Sequence, residues 1–245
     1  MEIAETGRSR ELFKTPFCGR YWKLALSEIR YPKILAVAGI LLALRVAVKL
    51  FSIPIPLSRD LYFSFDFIVN SVSAMITGPV LSLVTGAISD TIGALVFPKG
   101  PYFFPYIFQE MASGFIFALF YYRADLNSVR VMLGRFFVSL ICNIGMGALL
   151  SYYYYQAFFP KSLPMWGARQ VAGIVKNLAL FPLEVLVLLI LFGALLPLTN
   201  KLGLTFTRRT KFEIHKKEVI LLVVLTVVAA AAIALYVVYK LNGGK

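Results

Sequence analysis

The sequence predicts an all-α protein that crosses a membrane several times. Three observations carry that reading. Of 245 residues, 59% are hydrophobic and 15% charged, against roughly 45–50% and 25% in soluble domains, and mean hydropathy is +0.78. The apolar residues gather into runs approaching the roughly 20 residues that a spanning helix needs. Lys and Arg concentrate between alternate runs, as orientation in a bilayer demands. The 25 Lys and Arg against 12 Asp and Glu give +13, which in so apolar a chain reads as juxtamembrane charge and not as a nucleic-acid surface. The basic stretch 1–33 has no apolar h-region, so no cleaved secretory leader is expected. Cys18 and Cys142 stand apart, one in that stretch and one in an apolar run, which argues against a disulfide framework.

Taken in order, residues 1–32 form a basic N-terminal segment, in which Arg10–Arg30 mixes apolar and charged residues at helical spacing. That pattern predicts an amphipathic helix lying on the membrane surface. Seven spans follow: Ile34–Leu50, Phe65–Ile76, Val80–Phe97, Tyr106–Tyr122, Val129–Tyr155, Ala168–Leu196 and Val219–Tyr239. Pro32 opens the first without costing a hydrogen bond. The second is short and runs through Gly78-Pro79 into the third, so the pair is either a tight hairpin or a broken element. The domains expected are 1–32, a membrane core over 33–198, a basic linker over 199–218 and a last span with its tail over 219–245. With seven spans, fifteen Lys and Arg fall on one side and five on the other. This bias predicts a plasma-membrane protein with a cytoplasmic N-terminus.

Five cations lie inside spans: Arg45, Lys49, Arg135, Arg169 and Lys176. Each costs about 2.5–3.5 kcal/mol at a helix centre, so such residues face a bundle interior or water. Arg45 and Lys49 share one face of the first span, nearly opposite a stripe of small residues, Ala36, Gly39, Ala43 and Ala47, which suits close helix–helix approach. Lys176 lies two turns into the sixth span, seven residues after Arg169, and calls for an internal acid or a ligand anion. Arg135, near the cytoplasmic end of its span, is expected to snorkel. The internal acids are Asp66, Asp90, Glu110 and Glu184. The stripe Ser82, Gly86, Asp90 and Gly93 suits a close helix contact. Phe97-Pro98-Lys99-Gly100-Pro101-Tyr102-Phe103-Phe104-Pro105 cannot continue a helix and makes a stiff aromatic loop. Together with Tyr152–Tyr155 and Trp166 it sets aromatics beside cations at the outer mouth, which suits a planar, anionic small molecule.

There is no phosphate-binding G-x-x-x-x-G-K-[ST] loop, no HExxH pair and no G-x-S-x-G. The chain therefore has no visible machinery for ATP hydrolysis, metalloprotease or serine-hydrolase chemistry, and no metal or cofactor is expected. A stand-alone channel or a proton-coupled carrier using Asp90, Glu110 and Glu184 is an alternative that the residues leave open.

Ala43-Leu44-Arg45-Val46, Phe51-Ser52-Ile53-Pro54, Gly78-Pro79-Val80, Gly86-Ala87-Ile88-Ser89-Asp90 with Gly93, the loop 97–105, and Lys176-Asn177 with Phe181-Pro182-Leu183-Glu184 occur in this order. Over roughly Lys33–Leu198 the series resembles the substrate-binding S components of energy-coupling-factor (ECF) vitamin transporters, and among them the folate members. The resemblance implies a six-helix bundle, here with one extra C-terminal transmembrane helix, that captures its vitamin at the outer side. It also implies partners: a membrane scaffold (T) subunit and two ATPases. Gly173 stands where folate members carry an Arg, and Pro105-Tyr106-Ile107-Phe108 replaces their Pro-Gly-Phe-Thr.

The function expected is capture of folate or a related pterin, with another water-soluble vitamin as the alternative. Arg45, Lys49, Arg169 and Lys176 would attract its carboxylates. Tyr102, Phe103, Phe104 and Trp166 would cover the ring, and Asp66, Glu110 and Asn143 would pair with the heterocycle edge. The stripe Ala36, Gly39, Ala43 and Ala47 would meet the partner subunit.

Overall fold

The computed structural model describes residues 11–54, 62–98 and 100–207, and within the C-terminal part residues 217, 220, 222–228 and 231. It is a helical membrane protein. Helix α1, Gly19–Ser27, is followed by a 3-10 turn, Glu28–Arg30, and by α2, Pro32–Val48. Tyr31 is extended (φ −97°, ψ 107°) because the proline ring after it excludes the helical conformation. The axes of Gly19–Arg30 and Pro32–Val48 consequently differ by 82°. Two short antiparallel strands come next, β1 (Ser52–Pro54) and β2 (Tyr62–Ser64), in register Ser52 to Ser64. Sequence periodicity carries no sign of them, since three-residue strands hold too little pattern.

Helix α3 covers Asp66–Val96 and is broken at Gly78, whose φ of 78° and ψ of 178° are not helical. Its arms are 66–77 and 79–96. Asp66 bonds Arg45, while Asp90 lies 4.0 Å from Lys49, one turn further along α2. In an unbroken helix these two acids would stand about 36 Å apart, so the break folds α3 into a helical hairpin. Glycine is required at the turn: φ is positive, and a Cβ at Gly78 would come 2.9 Å from the Tyr122 ring. Helix α4 is Tyr106–Tyr121, α5 is Ser128–Phe158 and α6 is Trp166–Lys201, preceded by a 3-10 turn at Pro160–Met165. By length and composition Asp66–Val96, Ser128–Phe158 and Trp166–Lys201 are able to cross a membrane, although in Asp66–Val96 the hairpin shares that length between two arms. Of the seventh predicted span, Val219–Tyr239, residues 220, 222–228 and 231 are helical; the other residues of that span and much of the linker before it lie outside the described residues, as do residues 1–10, Arg59 and Lys99.

The two ends of the bundle are defined by contacts. At the near end the Lys33 ammonium donates to the Leu202 carbonyl at 2.6 Å, joining the start of α2 to the exit of α6. Glu28, Tyr122 and Arg123 are buried together there. The Tyr122 hydroxyl donates to Glu28 Oε1 at 2.6 Å, and the Arg123 guanidinium donates to the same oxygen at 3.1 Å. The Tyr21 hydroxyl of α1 donates to the Ala118 carbonyl, and burial pushes its phenol well above the usual range, so it stays a neutral donor. The far end holds the β1–β2 hairpin, the loop 97–105 and the Pro160–Met165 turn. Between the ends, Phe117, Tyr121, Val131, Leu188, Leu189 and Phe192 form a dry core.

Candidate functional site

Every predicted ligand-binding residue belongs to the far half, and there they divide into two groups. The first lies on α2, α3 and α4. Arg45 is 2% exposed. Its Nε donates to Asp66 Oδ1 at 3.1 Å, and its Nη2 is hydrogen-bonded to Glu110 Oε2. One turn on, Lys49 Nζ lies 3.4 Å from Glu110 Oε1 and 4.0 Å from Asp90, and donates to the Ser89 carbonyl at 3.3 Å. Two cations therefore face three carboxylates. The α3 hairpin makes this possible by returning Asp90 to the level of Asp66. Close approach of the second arm to α4 does the rest: a Cβ at Gly86 would sit 2.9 Å from the Glu110 carbonyl oxygen. Further down the same seam, Asn70 donates to the Ser113 hydroxyl at 2.9 Å. The expectation that Arg45 and Lys49 offer open charge to a ligand needs revision, since both are already ion-paired. Asp90, which the sequence reading placed among the internal acids and on a helix-contact stripe but not among the ligand-binding residues, completes the cluster.

The second group lies on α5 and α6. The middle of α5, Val138–Met146, is π-helical. Such widened turns recur at functional sites because they re-aim side chains. Asn143, inside it, donates to Asn177 Oδ1 at 3.3 Å, and Asn177 in turn donates to the Gly173 carbonyl at 2.9 Å. Lys176 lies next to Asn177. Among the described residues its Nζ has a single hydrogen-bond partner, the Tyr62 carbonyl of β2 at 3.4 Å, and it forms no ion pair. Glu184, a conceivable partner for Lys176, belongs to Arg135, with Nε to Oε2 at 2.8 Å. Arg135 is buried against the Phe67 ring, so the expectation that it snorkels is corrected: a second buried acid is available to hold it.

Aromatic residues close over this side. Phe103 packs edge-on against Tyr106, Tyr154 and Phe158, with centroids 5.6, 5.8 and 6.3 Å away. The loop 97–105 is thereby fastened to the outer turns of α4 and α5. Tyr102 and Phe104 remain exposed, and Phe104 meets Phe108 at 5.8 Å. Trp166 packs on Tyr152 and donates to the Ser151 hydroxyl at 3.1 Å. The Arg169 guanidinium lies 4.5 Å from the Tyr155 ring centroid, a cation–π arrangement. Chemically, the second group offers one cation tied only to a carbonyl, two carboxamides able to donate and accept, and flat rings on a loop and two helix ends. None of this is machinery for bond cleavage.

Comparison with known proteins places the arrangement in a family. Residues 31–195 match the family model described as "ECF-type riboflavin transporter, S component". The chain belongs to that S-component family. A folate transporter FolT of Leuconostoc mesenteroides subsp. mesenteroides is 31% identical over 159 residues, covering 63% of this chain and 84% of the relative. FolT of Clostridium novyi (strain NT) is 28% identical over 143 residues, 58% of this chain and 77% of the relative. A crystal structure of FolT bound with folic acid superposes with a TM-score of 0.51 at 27% identity, over 64% of this chain and 89% of that one. The S component described here is thus a transporter subunit and not an enzyme. The family's description names one vitamin and these relatives another, so membership fixes the kind of subunit while the site must identify the cargo.

Proposed function

We propose that this S component captures folate or a closely related pterin at the far end, between the β1–β2 hairpin, the loop 97–105 and the α5–α6 face. The observation that carries the reading is Lys176: a part-buried cation tied to one carbonyl, beside Asn177, which Asn143 bonds, on the helix that follows the aromatic outer turns. Folate carries two carboxylates and a flat heterocycle, so it uses both halves of that set. The FolT relatives and the FolT–folic acid structure support the same cargo. Phe103, Tyr102, Phe104 and Trp166 cover the ring, Arg169 and Lys176 draw the carboxylates, and Asn143 pairs with the heterocycle edge. Arg45, Lys49, Asp66 and Glu110 line the opposite wall as one ion network.

The near end is cytoplasmic in this reading, as the Lys and Arg bias requires. Helix α2, the two arms of α3, and α4, α5 and α6 make a six-helix core, and 219–245 adds a seventh span. Ala36, Gly39, Ala43 and Ala47 are all exposed on α2, on the face away from buried Arg45. Small residues at spacings of three and four allow backbone approach in lipid. This face receives the scaffold subunit, and the ATPases assembled with it supply the work of import.

Riboflavin is the second reading, favoured by the family's description. It is flat but has no carboxylate, so it leaves Lys176 without use. Thermal shift of the detergent-purified protein against a vitamin panel separates them. A ligand at a hundred times its Kd stabilises by about 2.7 kcal/mol, so folate is expected to raise Tm and riboflavin to leave it unchanged. The opposite pattern would overturn the folate assignment.

A further inference from the structure

A groove of about 580 Å³ lies at the near end, far from the vitamin site, between the segment before α1 and the outer faces of α4 and α5. Its walls are apolar and follow helix spacing. Arg130, Leu133, Phe137 and Ile141 descend one stripe of α5, and Ile116, Leu119 and Phe120 face them from α4. Leu133 and Ile141 are exposed, so among the described residues no other helix covers the stripe. From Arg130 to Ile141 the wall runs about 16 Å, close to the depth of one leaflet of a hydrocarbon core about 30 Å thick.

The mouth is polar and cationic at one level. Lys14 and Arg130 stand there with Thr15, Asn127 and Asp125. The Arg130 guanidinium donates to the Lys14 carbonyl at 2.8 Å, which brings the two residues to the same rim. Asp125 offsets one positive charge, and the rim stays positive. Beside it, α1 meets the spanning direction of α2 at 82° and so lies in the membrane plane. The exposed residues along this segment include apolar Phe17, Leu26 and Ile29 and basic Arg20, Lys23 and Arg30, a mixture that suits an interfacial helix.

From these features we infer that the groove is a binding site for one anionic phospholipid, its phosphate held between Lys14 and Arg130 and an acyl chain lying along Leu133, Phe137 and Ile141. A headgroup with net negative charge matches the rim, and a single leaflet-deep chain matches the walls. The site is independent of which vitamin is carried. It also gives α1, which lies wholly before the family-matched region, a role in fixing the subunit to one leaflet.

Native mass spectrometry of the full chain, released from nanodiscs holding equal phosphatidylglycerol and phosphatidylcholine, tests this. Expected is one retained phosphatidylglycerol per protein, at least fivefold over phosphatidylcholine. Leu133→Trp, which fills the groove without touching charge, is expected to abolish retention while leaving the vitamin-induced Tm shift intact. The double variant K14A/R130A is expected to lose the headgroup preference, and Arg130→Lys with Lys14 intact to keep it. Equal retention of both lipids, or phosphatidylglycerol retention unaffected by Leu133→Trp, would overturn the proposal. So would stabilisation by soluble glycerol phosphate equal to that given by the lipid, which would make this an anion site only.

Discussion

The two walls of the far end hold helix-borne cations in opposite conditions. On α2, α3 and α4, Arg45 and Lys49 are each met by carboxylates, with Arg45 2% exposed. On α5 and α6, Lys176 reaches one backbone carbonyl at 3.4 Å. A cation in lipid-embedded helices is costly on either wall, but only the first wall compensates that cost internally. In the proposed reading the difference separates a scaffold from a receptor: saturated charge holds helices together, and under-partnered charge is left to meet the anionic ligand. Residue type alone does not make this distinction, since both walls offer a cation on a helix inside the bundle.

The largest effect should come from breaking the saturated wall. Arg45→Ala leaves Asp66 and Glu110 without the guanidinium between them, and removing one partner of a buried pair costs about 3–5 kcal/mol. Thermal denaturation in detergent should show a drop of that size or failure to fold; a Tm equal to the parent's would make Arg45 a ligand residue after all. Next is Gly78→Ala, which forces a left-handed residue against Tyr122 and costs about 1–3 kcal/mol. The same assay reads it, and an unchanged Tm would contradict the hairpin that brings Asp90 to Lys49. Phe103→Ala removes edge-on ring packing worth about 0.5–1.5 kcal/mol per pair. Phe103 makes three such pairs, so Phe103→Ala should lower Tm of the free protein as well as shorten vitamin residence time in stopped-flow release. The smallest effect is on the stability of Lys176→Gln. Its one carbonyl partner is distant, so Tm of the vitamin-free protein should stay within about 1 °C, a shift corresponding to well under 1 kcal/mol.

Much of this is legible in the sequence, and what is not has a physical cause. Hydropathy locates the helices because lipid imposes a length on apolar runs, and Gly78-Pro79 announces a break because proline cannot continue the helical hydrogen-bond ladder. The position of Lys176, two turns inside its span, is also visible. Pairing is not. Asp66 and Asp90 are 24 positions apart and become neighbours only through the hairpin, so no spacing rule links them to Arg45 and Lys49. Arg135 escapes sequence reasoning for the same cause: Glu184 lies 49 positions away, on another helix. The π-helical stretch Val138–Met146 leaves no mark, because widening one turn needs no special residue. The β1–β2 hairpin, which supplies the carbonyl that meets Lys176, is too short for period-2 alternation to register.

The most direct test is calorimetric titration of folate into Lys176→Gln beside the parent protein. A hydrogen bond to a charged group is worth about 1.5–3 kcal/mol, so the account predicts a Kd raised at least tenfold with the fold intact. A Kd within twofold of the parent's would place the vitamin elsewhere.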